Sequence, residues 1–315
     1  MGTKFDSYQA VTDSMIAALK ADRVPWQKPW VPGAGRPRSI STGNGYRGIN
    51  VLLLGLTAWE RGYKSPWWGT MKAINARGGK VREGQSRANG CGSTMITFWK
   101  IDQRRVQDEA TGEWEVRSFP MLRVYNVFNA EQCEGLPARY TEVTERVAPD
   151  VDATAQAVVE AYWASPEGPA VSFGEIADRA GYSDELDKIF FPAKEQFRDE
   201  AGLLTTEFHE SVHSTGHKDR LARPGVADFD HFGSERYARE ELVAEMGSAF
   251  LAAEFGIEGR FEQSADYIRG WLRALENDPK LVVQAAAAAE KAVELVKAAS
   301  TPAEDETPET AAEAA

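Results

Sequence analysis

Residues 208–217 read Phe-His-Glu-Ser-Val-His-Ser-Thr-Gly-His, and the HExxH from His209 to His213 is the strongest constraint in the chain. It makes chemical sense on a helix, where residues four apart share one face, one turn from each other. Two imidazoles on that face can grip one zinc ion, and Glu210 beside them suits general-base work on a water at the metal. The chain has only four histidines, His209, His213, His217 and His231, all within one short stretch. The plain alternative is a solvated helix that happens to carry two surface histidines.

A catalytic zinc takes three protein ligands and keeps one position open. Glu241, within Glu240-Glu-Leu-Val-Ala-Glu245, is assigned as the third ligand. A second helix donating one Glu is the gluzincin arrangement. Glu245, one turn on, is expected to accept the other N–H of a ligand histidine and fix its tautomer. Asp219 is the alternative metal ligand, because His213-Ser-Thr-Gly216-His-Lys-Asp219 matches HxxGxxD, where Gly allows a sharp turn. His217 is the third option, otherwise a surface or cleft residue. The cofactor expected is one Zn2+ per chain, with another divalent metal as the alternative. The chemistry would be peptide hydrolysis, Glu210 taking a proton and passing it to the leaving amine. Residues 187–192 are expected to form the strand edge on which an extended substrate pairs.

The 315 residues suggest two domains, and 43% hydrophobic content is enough for substantial cores. The two cysteines, Cys91 and Cys133, exclude a disulfide framework or a Cys-rich zinc site. No run approaches the roughly 18 apolar residues that a membrane span needs. The N-terminus has no apolar signal core, so a cytoplasmic protein without membrane partners is expected.

The net charge of −12 is unevenly spread. Residues 1–140 carry 20 Lys/Arg against 12 Asp/Glu, whereas residues 141–315 carry 16 against 36. Seven of the nine tryptophans lie in the basic half. Cationic grooves with aromatic faces bind single strands of nucleic acid, so this half is read as a single-stranded-DNA-binding domain. The residues assigned to it are Trp26, Lys28, Trp30, Arg38, Tyr46, Arg47, Asn50, Lys64, Trp67, Trp68, Lys72, Lys80, Arg82 and Arg87. The bland alternative for each tryptophan is a place in the core.

Apolar spacing and caps predict helices over 6–22, 49–61, 151–164, 200–214, 235–254, 262–276 and 281–299, with a short one ending at Asn75. Strands are expected at 92–101, twice within 114–128, and at 187–192. The class is α+β: an α+β DNA-binding domain over 1–138, a linker over 139–150, a mainly helical zincin-like domain over 151–299, and a disordered acidic tail over 300–315.

Several stretches, in order, resemble the ArdC family of antirestriction proteins. They are Val24-Pro-Trp-Gln-Lys-Pro-Trp30, Tyr46-Arg-Gly-Ile-Asn50, Gly78-Gly-Lys-Val-Arg82, Val124-Tyr-Asn-Val-Phe-Asn129, Gly135-Leu-Pro137, Ile189-Phe-Phe-Pro192, the HExxH with Thr215-Gly-His217, Arg220-Leu221, Glu240 to Glu245, and Ser264 to Leu272. The family is encoded by plasmids, phages and other mobile elements. It joins a single-stranded-DNA-binding domain, shared with TraC-type primases, to a zincin domain. The resemblance implies binding of single-stranded DNA, protection of incoming DNA from restriction, and a protein substrate that remains unidentified. Ser214 stands where family members carry Trp, beside the cleft, and Arg87-Ala-Asn-Gly-Cys-Gly92 is longer and more polar than the family pattern. Two other readings stay open: a DNA-coating protein whose zincin domain is structural or inactive, and a plain protease without a DNA role.

Overall fold

The computed structural model describes residues 6–27, 35–85, 92–107, 113–142, 151–175, 179–227, 235–257 and 265–300. The helices are α1 (Ser7–Lys20), α2 (Ile49–Arg61), α3 (Met71–Asn75), α4 (Ala138–Thr141), α5 (Val151–Ala164), α6 (Glu200–Ser214), α7 (Pro224–Ala227), α8 (Glu235–Phe255), α9 (Ala265–Asn277) and α10 (Leu281–Ala298). The strands are β1 (Arg38–Ser39), β2 (Trp67–Gly69), β3 (Lys80–Val81), β4 (Thr94–Gln107), β5 (Trp114–Asn129), β6 (Cys133–Glu134), β7 (Ala170–Phe173), β8 (Gly181–Ser183) and β9 (Lys188–Phe191). The class is mixed α+β, with the C-terminal region mainly helical.

Local chemistry sets several boundaries. The Asp6 carboxylate accepts from the amides of Tyr8 and Gln9 and starts α1. Gly62, left-handed at φ 69°, closes α2. Asp199 caps α6 by accepting from the Gly202 amide, so the HExxH helix begins two turns before the motif.

Three sheets form. The first has the order β1-β2-β5-β4, the second pairs β3 with β6, and the third has the order β7-β9-β8. Strand β9 is paired on both sides, parallel to β7 and antiparallel to β8. The expected substrate edge at 187–192 is therefore corrected. Its backbone groups are taken, and the outer edge belongs to β8, which its short length and even, intermediate burial hid from the pattern. The two strands expected within 114–128 are one continuous β5.

The principal core draws on both halves of the chain. Val11, Met15, Trp26 and Leu52 share it with Phe208, Leu242, Phe250 and Val282. Trp26 is fully buried and meets Trp271 of α9 edge-on at 5.0 Å. Helix α8 packs between α6 and α10. It reaches α6 closely because Gly247 has no side chain: a Cβ there would lie 2.8 Å from Val212 Cγ2. Smaller clusters gather around Ile40, Ile74 and Phe128, and around Leu54, Trp68 and Val127.

Glu290 on α10 ties the N-terminal loop down. It accepts from both terminal nitrogens of Arg36 at 3.0 Å, from Arg47 Nε at 3.2 Å and from the Gly48 amide at 3.0 Å. Burial pushes the Glu290 pKa up, but the Arg36 hydrogen bonds and charge outweigh it and hold the carboxyl below its ordinary value. A depressed pKa means a contribution present above the unfolded carboxylate range and lost as pH falls through the folded value. Glu290→Ala should destabilise by about 1–3 kcal/mol at neutral pH, since the half-buried Arg36 loses its bidentate partner and keeps Glu254 at 3.5 Å. In thermal melts followed by circular dichroism, the gap between wild type and variant should close on acidification. Gly247→Ala should also lower the melting temperature, by the equivalent of about 1–3 kcal/mol, because its methyl overpacks Val212.

Candidate metal centre

Helix α6 turns His209 and His213 to one side, and α8 brings Glu241 against them. One ligand atom from each of these three residues lies within 4.8 Å of the others. The two Nε2 atoms face each other at 3.1 Å. Glu241 Oε2 lies 3.7 Å from His209 Nε2, and Glu241 Oε1 lies 3.4 Å from His213 Nε2. Two imidazole nitrogens and one carboxylate, aimed at one point and largely buried, are a donor set that suits a divalent transition metal.

At the outer nitrogen of His213 stands Glu240, its Oε1 3.3 Å from Nδ1. The expectation gave this kind of contact to Glu245. Glu240 takes it at His213 because α8 presents two consecutive carboxylates to α6, one to each nitrogen of the same ring. Glu240 is itself gripped by Arg223, whose Nε and Nη2 donate to it at 2.9 and 2.6 Å. Arg223 also donates to Thr215 Oγ1 and to the Val212 carbonyl, both at 2.7 Å. No spacing in the sequence marks Arg223, which follows the motif by ten residues in an irregular turn.

The charges are strongly coupled. Burial, then the neighbouring His213, lowers His209 to about 4. Burial also works against protonation of His213, yet the hydrogen bonds to Glu240 and Glu241 prevail and raise it. Glu241 would be raised by burial, but the His213 hydrogen bond and charge take it down to about 2. Glu210 rises to about 7, chiefly through burial. It accepts a backbone hydrogen bond from Tyr182 of β8. Tyr237 hydrogen-bonds to Glu241.

A cleft of about 720 Å³ opens over these groups, lined by residues 179–185, His209, Glu210, His213, Tyr237, Glu240 and Glu241 among others. One wall is β8. Arg220 anchors that wall to α6: it donates to Asp187 and the Tyr182 hydroxyl on one side and to the Ser214 carbonyl on the other.

The competing ligands lie elsewhere. Asp219 has a 76% exposed side chain and sits 3.6 Å from His217 Nδ1, outside the cluster. His217 is buried, with Nε2 4.0 Å from Asp184. Ser214 is not in the cleft wall. It is fully buried, and its hydroxyl meets Tyr162 of α5 at 2.9 Å. His231 lies outside the described residues.

The residues assigned to DNA scatter. Trp26 and Trp68 are fully buried, and Tyr46 and Asn50 nearly so, with Asn50 bonded to Thr97. Trp67 packs edge-on against Tyr140, with Arg38 over its other surface. Arg47 is paired with Glu290 and Glu294. Lys64, Lys72, Lys80 and Arg82 are exposed or partly so. Lys28, Trp30 and Arg87 lie outside the described residues. Trp26, Trp67 and Trp68 fill the core or its margin, which is the bland alternative for each tryptophan. The well-exposed large rings are Phe98, Trp99, Trp114, Phe119 and Tyr125 on β4 and β5, with Trp59 on α2.

Two family models match. The N-terminal domain of anti-restriction factor ArdC covers residues 5–128, and a zincin-like metallopeptidase model covers residues 165–288. The crystal structure of the antirestriction protein ArdC from plasmid R388, metal-free, superposes with a TM-score of 0.75 at 38% identity, covering 94% of this chain and 98% of that one. Its Mn(II)-bound structure gives 0.74 at 36%. Among curated proteins, an Escherichia coli DNA primase TraC is 37% identical over 308 residues. The chain spans only 27% of that primase, and 20% of a second one. An uncharacterized Sinorhizobium fredii protein is 30% identical, with 92% of this chain and 91% of that protein covered. With both halves and nearly full-length structural likeness in agreement, the chain belongs to the ArdC family of antirestriction proteins.

Proposed function

We propose that this protein is a zinc metallopeptidase joined to a single-stranded-DNA-binding half, and that it shields the incoming DNA of a mobile element by cleaving a protein close to that DNA. The observation that carries the peptidase reading is the convergence of His209, His213 and Glu241, with Glu210 beside them, under the outer edge of β8. The Mn(II)-bound R388 relative supports a divalent metal here. The ArdC N-terminal model and the likeness to proteins named DNA primase TraC support the DNA role.

His209, His213 and Glu241 would hold the ion. When bound, it supplies Lewis-acid polarisation of a water and of a scissile carbonyl. The chain's own groups do the rest. Glu210 accepts the proton of the attacking water on its carboxylate and delivers it to the leaving amine. Strand β8 offers backbone groups on which an extended peptide can pair, so that its amide faces the cleft floor. Glu240 holds His213 with Nε2 free toward the centre, and Arg223 holds Glu240.

Metal analysis of purified protein should find about one divalent ion per chain. Glu241→Ala should abolish it, and Asp219→Ala should leave it intact. Glu240→Gln should weaken metal affinity about 10- to 100-fold, since it acts through His213, and should also lower the melting temperature, since it leaves the buried Arg223 without its carboxylate. A chelator titration reads that weakening. Glu210→Gln should retain metal and DNA binding yet lower proteolysis about 100- to 10,000-fold. In a restricting host it should abolish protection of transferred DNA. Full protection by Glu210→Gln would defeat the peptidase reading in favour of DNA coating with a structural zincin domain.

A further inference from the structure

Strands β4 and β5 run together from Thr94↔Val127 to Gln107↔Trp114, the longest pairing among the described residues. Strand β2 joins β5 only at Asn129 and Phe128. Beyond that point the pair is a two-stranded ribbon with no further strand on either side among the described residues. Side chains alternate between its faces. The register therefore gathers Phe98, Lys100 and Arg104 of β4 with Arg117, Phe119, Arg123 and Tyr125 of β5 on one face.

That face is aromatic and cationic, and it is open. Phe98 and Tyr125 meet edge-on at 5.7 Å, yet are 50% and 46% exposed. Arg104 lies 6.0 Å over the Phe119 ring. Arg104 and Arg117 are each steadied by a carboxylate on their own strand, Asp102 and Glu115. Lys100 and Arg123 flank the Phe98–Tyr125 pair with no carboxylate partner among the described residues. At the ribbon's base both faces are covered: Ile96 and Val127 of this face pack with Leu54 and Trp68, Thr97 of the other face bonds to Asn50 of α2, and Trp99, still 55% exposed, meets Tyr8 of α1 edge-on at 6.3 Å.

We infer that this face is where a single strand of nucleic acid lies, its bases on Phe98, Tyr125 and Phe119 and its phosphates on Lys100, Arg104 and Arg123. The inference rests on the DNA-binding reading above and moves the binding surface away from the tryptophans of residues 23–68. Rings left half in water beside cations, two of them without a carboxylate partner among the described residues, are the chemistry of base stacking and phosphate neutralisation. A protein partner of the usual kind would find a core depleted of charge, which this face is not.

The test uses the full chain and a fluorescent oligothymidylate followed by anisotropy. Phe98→Ala with Tyr125→Ala should weaken binding by about 5- to 100-fold for each base unstacked. Phe98→Trp should keep or strengthen it. Lys100→Glu with Arg123→Glu should weaken binding and flatten its dependence on log salt by about 0.7 for each phosphate no longer neutralised. Lys218→Glu with Lys291→Glu, the same charge change at exposed positions of the C-terminal half, should have little effect. All four substituted ribbon and control lysine and arginine positions face water at least in part, so melting temperatures should hold. If the wild type binds and both ribbon double variants bind within twofold of it, the inference falls while the DNA reading stands. A wild type that binds no single strand overturns both. Variants that change only the sedimentation coefficient would make the ribbon an interface between copies, and would equally overturn the inference.

Discussion

The buried pair between Arg223 and Glu240 organises the site. Both residues are almost withdrawn from solvent, and such a pair is tolerable only when its remaining donors and acceptors are also used. They are used here: Arg223 reaches the Val212 carbonyl and Thr215 at the end of α6, and Glu240 reaches His213. One ion pair thereby locks the end of the motif helix, the turn after it and the start of α8. Glu241 follows Glu240 in sequence, so fixing one carboxylate under His213 aims the next at the space between the two histidines. Gly247, further along α8, lets the helices close to the distance this needs.

Much of this site was legible in the sequence. The HExxH and the apolar stripe of α8 each have a local cause, so His209, His213 and Glu241 could be brought together from the chain alone. What failed had non-local causes. Spacing does not single out Glu240, whose contact with His213 depends on how closely α8 lies against α6. A helix packed as closely as Gly247 permits shows α6 two adjacent residues. Arg223 gave no signal because its role depends on a turn that no period describes. Strand β8 is three residues long and half-buried throughout, so alternation could not reveal it. The fold followed the same division. Helices α2, α5 and α6 begin and end where expected, while the length of β5 and the sharing of one core by both halves depend on contacts distant in sequence.

The tryptophans make the point sharply. Composition identified a basic, aromatic half and could not say which rings were spent on packing. Trp26 and Trp68 are as inaccessible as any residue in the molecule. A large ring in a loop beside Pro and Gly often holds that loop down, as Trp26 does against Trp271. Most of the exposed large rings instead sit on the β4–β5 ribbon, where no further strand is paired beyond its base among the described residues.

The shared core also limits how the two proposed functions can be arranged. Helix α1 contacts both β5 and α9, and α10 packs against both α2 and the Glu241-bearing α8. With Trp26, Thr12 and Arg36 anchored to the C-terminal helices, the halves cannot swing apart without exposing apolar surface and breaking a buried ion pair. The base of the ribbon and the cleft are therefore held in one frame. The ribbon's outer length and the edge of β8 lie at the margins of this frame, where the proposed nucleic-acid and peptide contacts would be made.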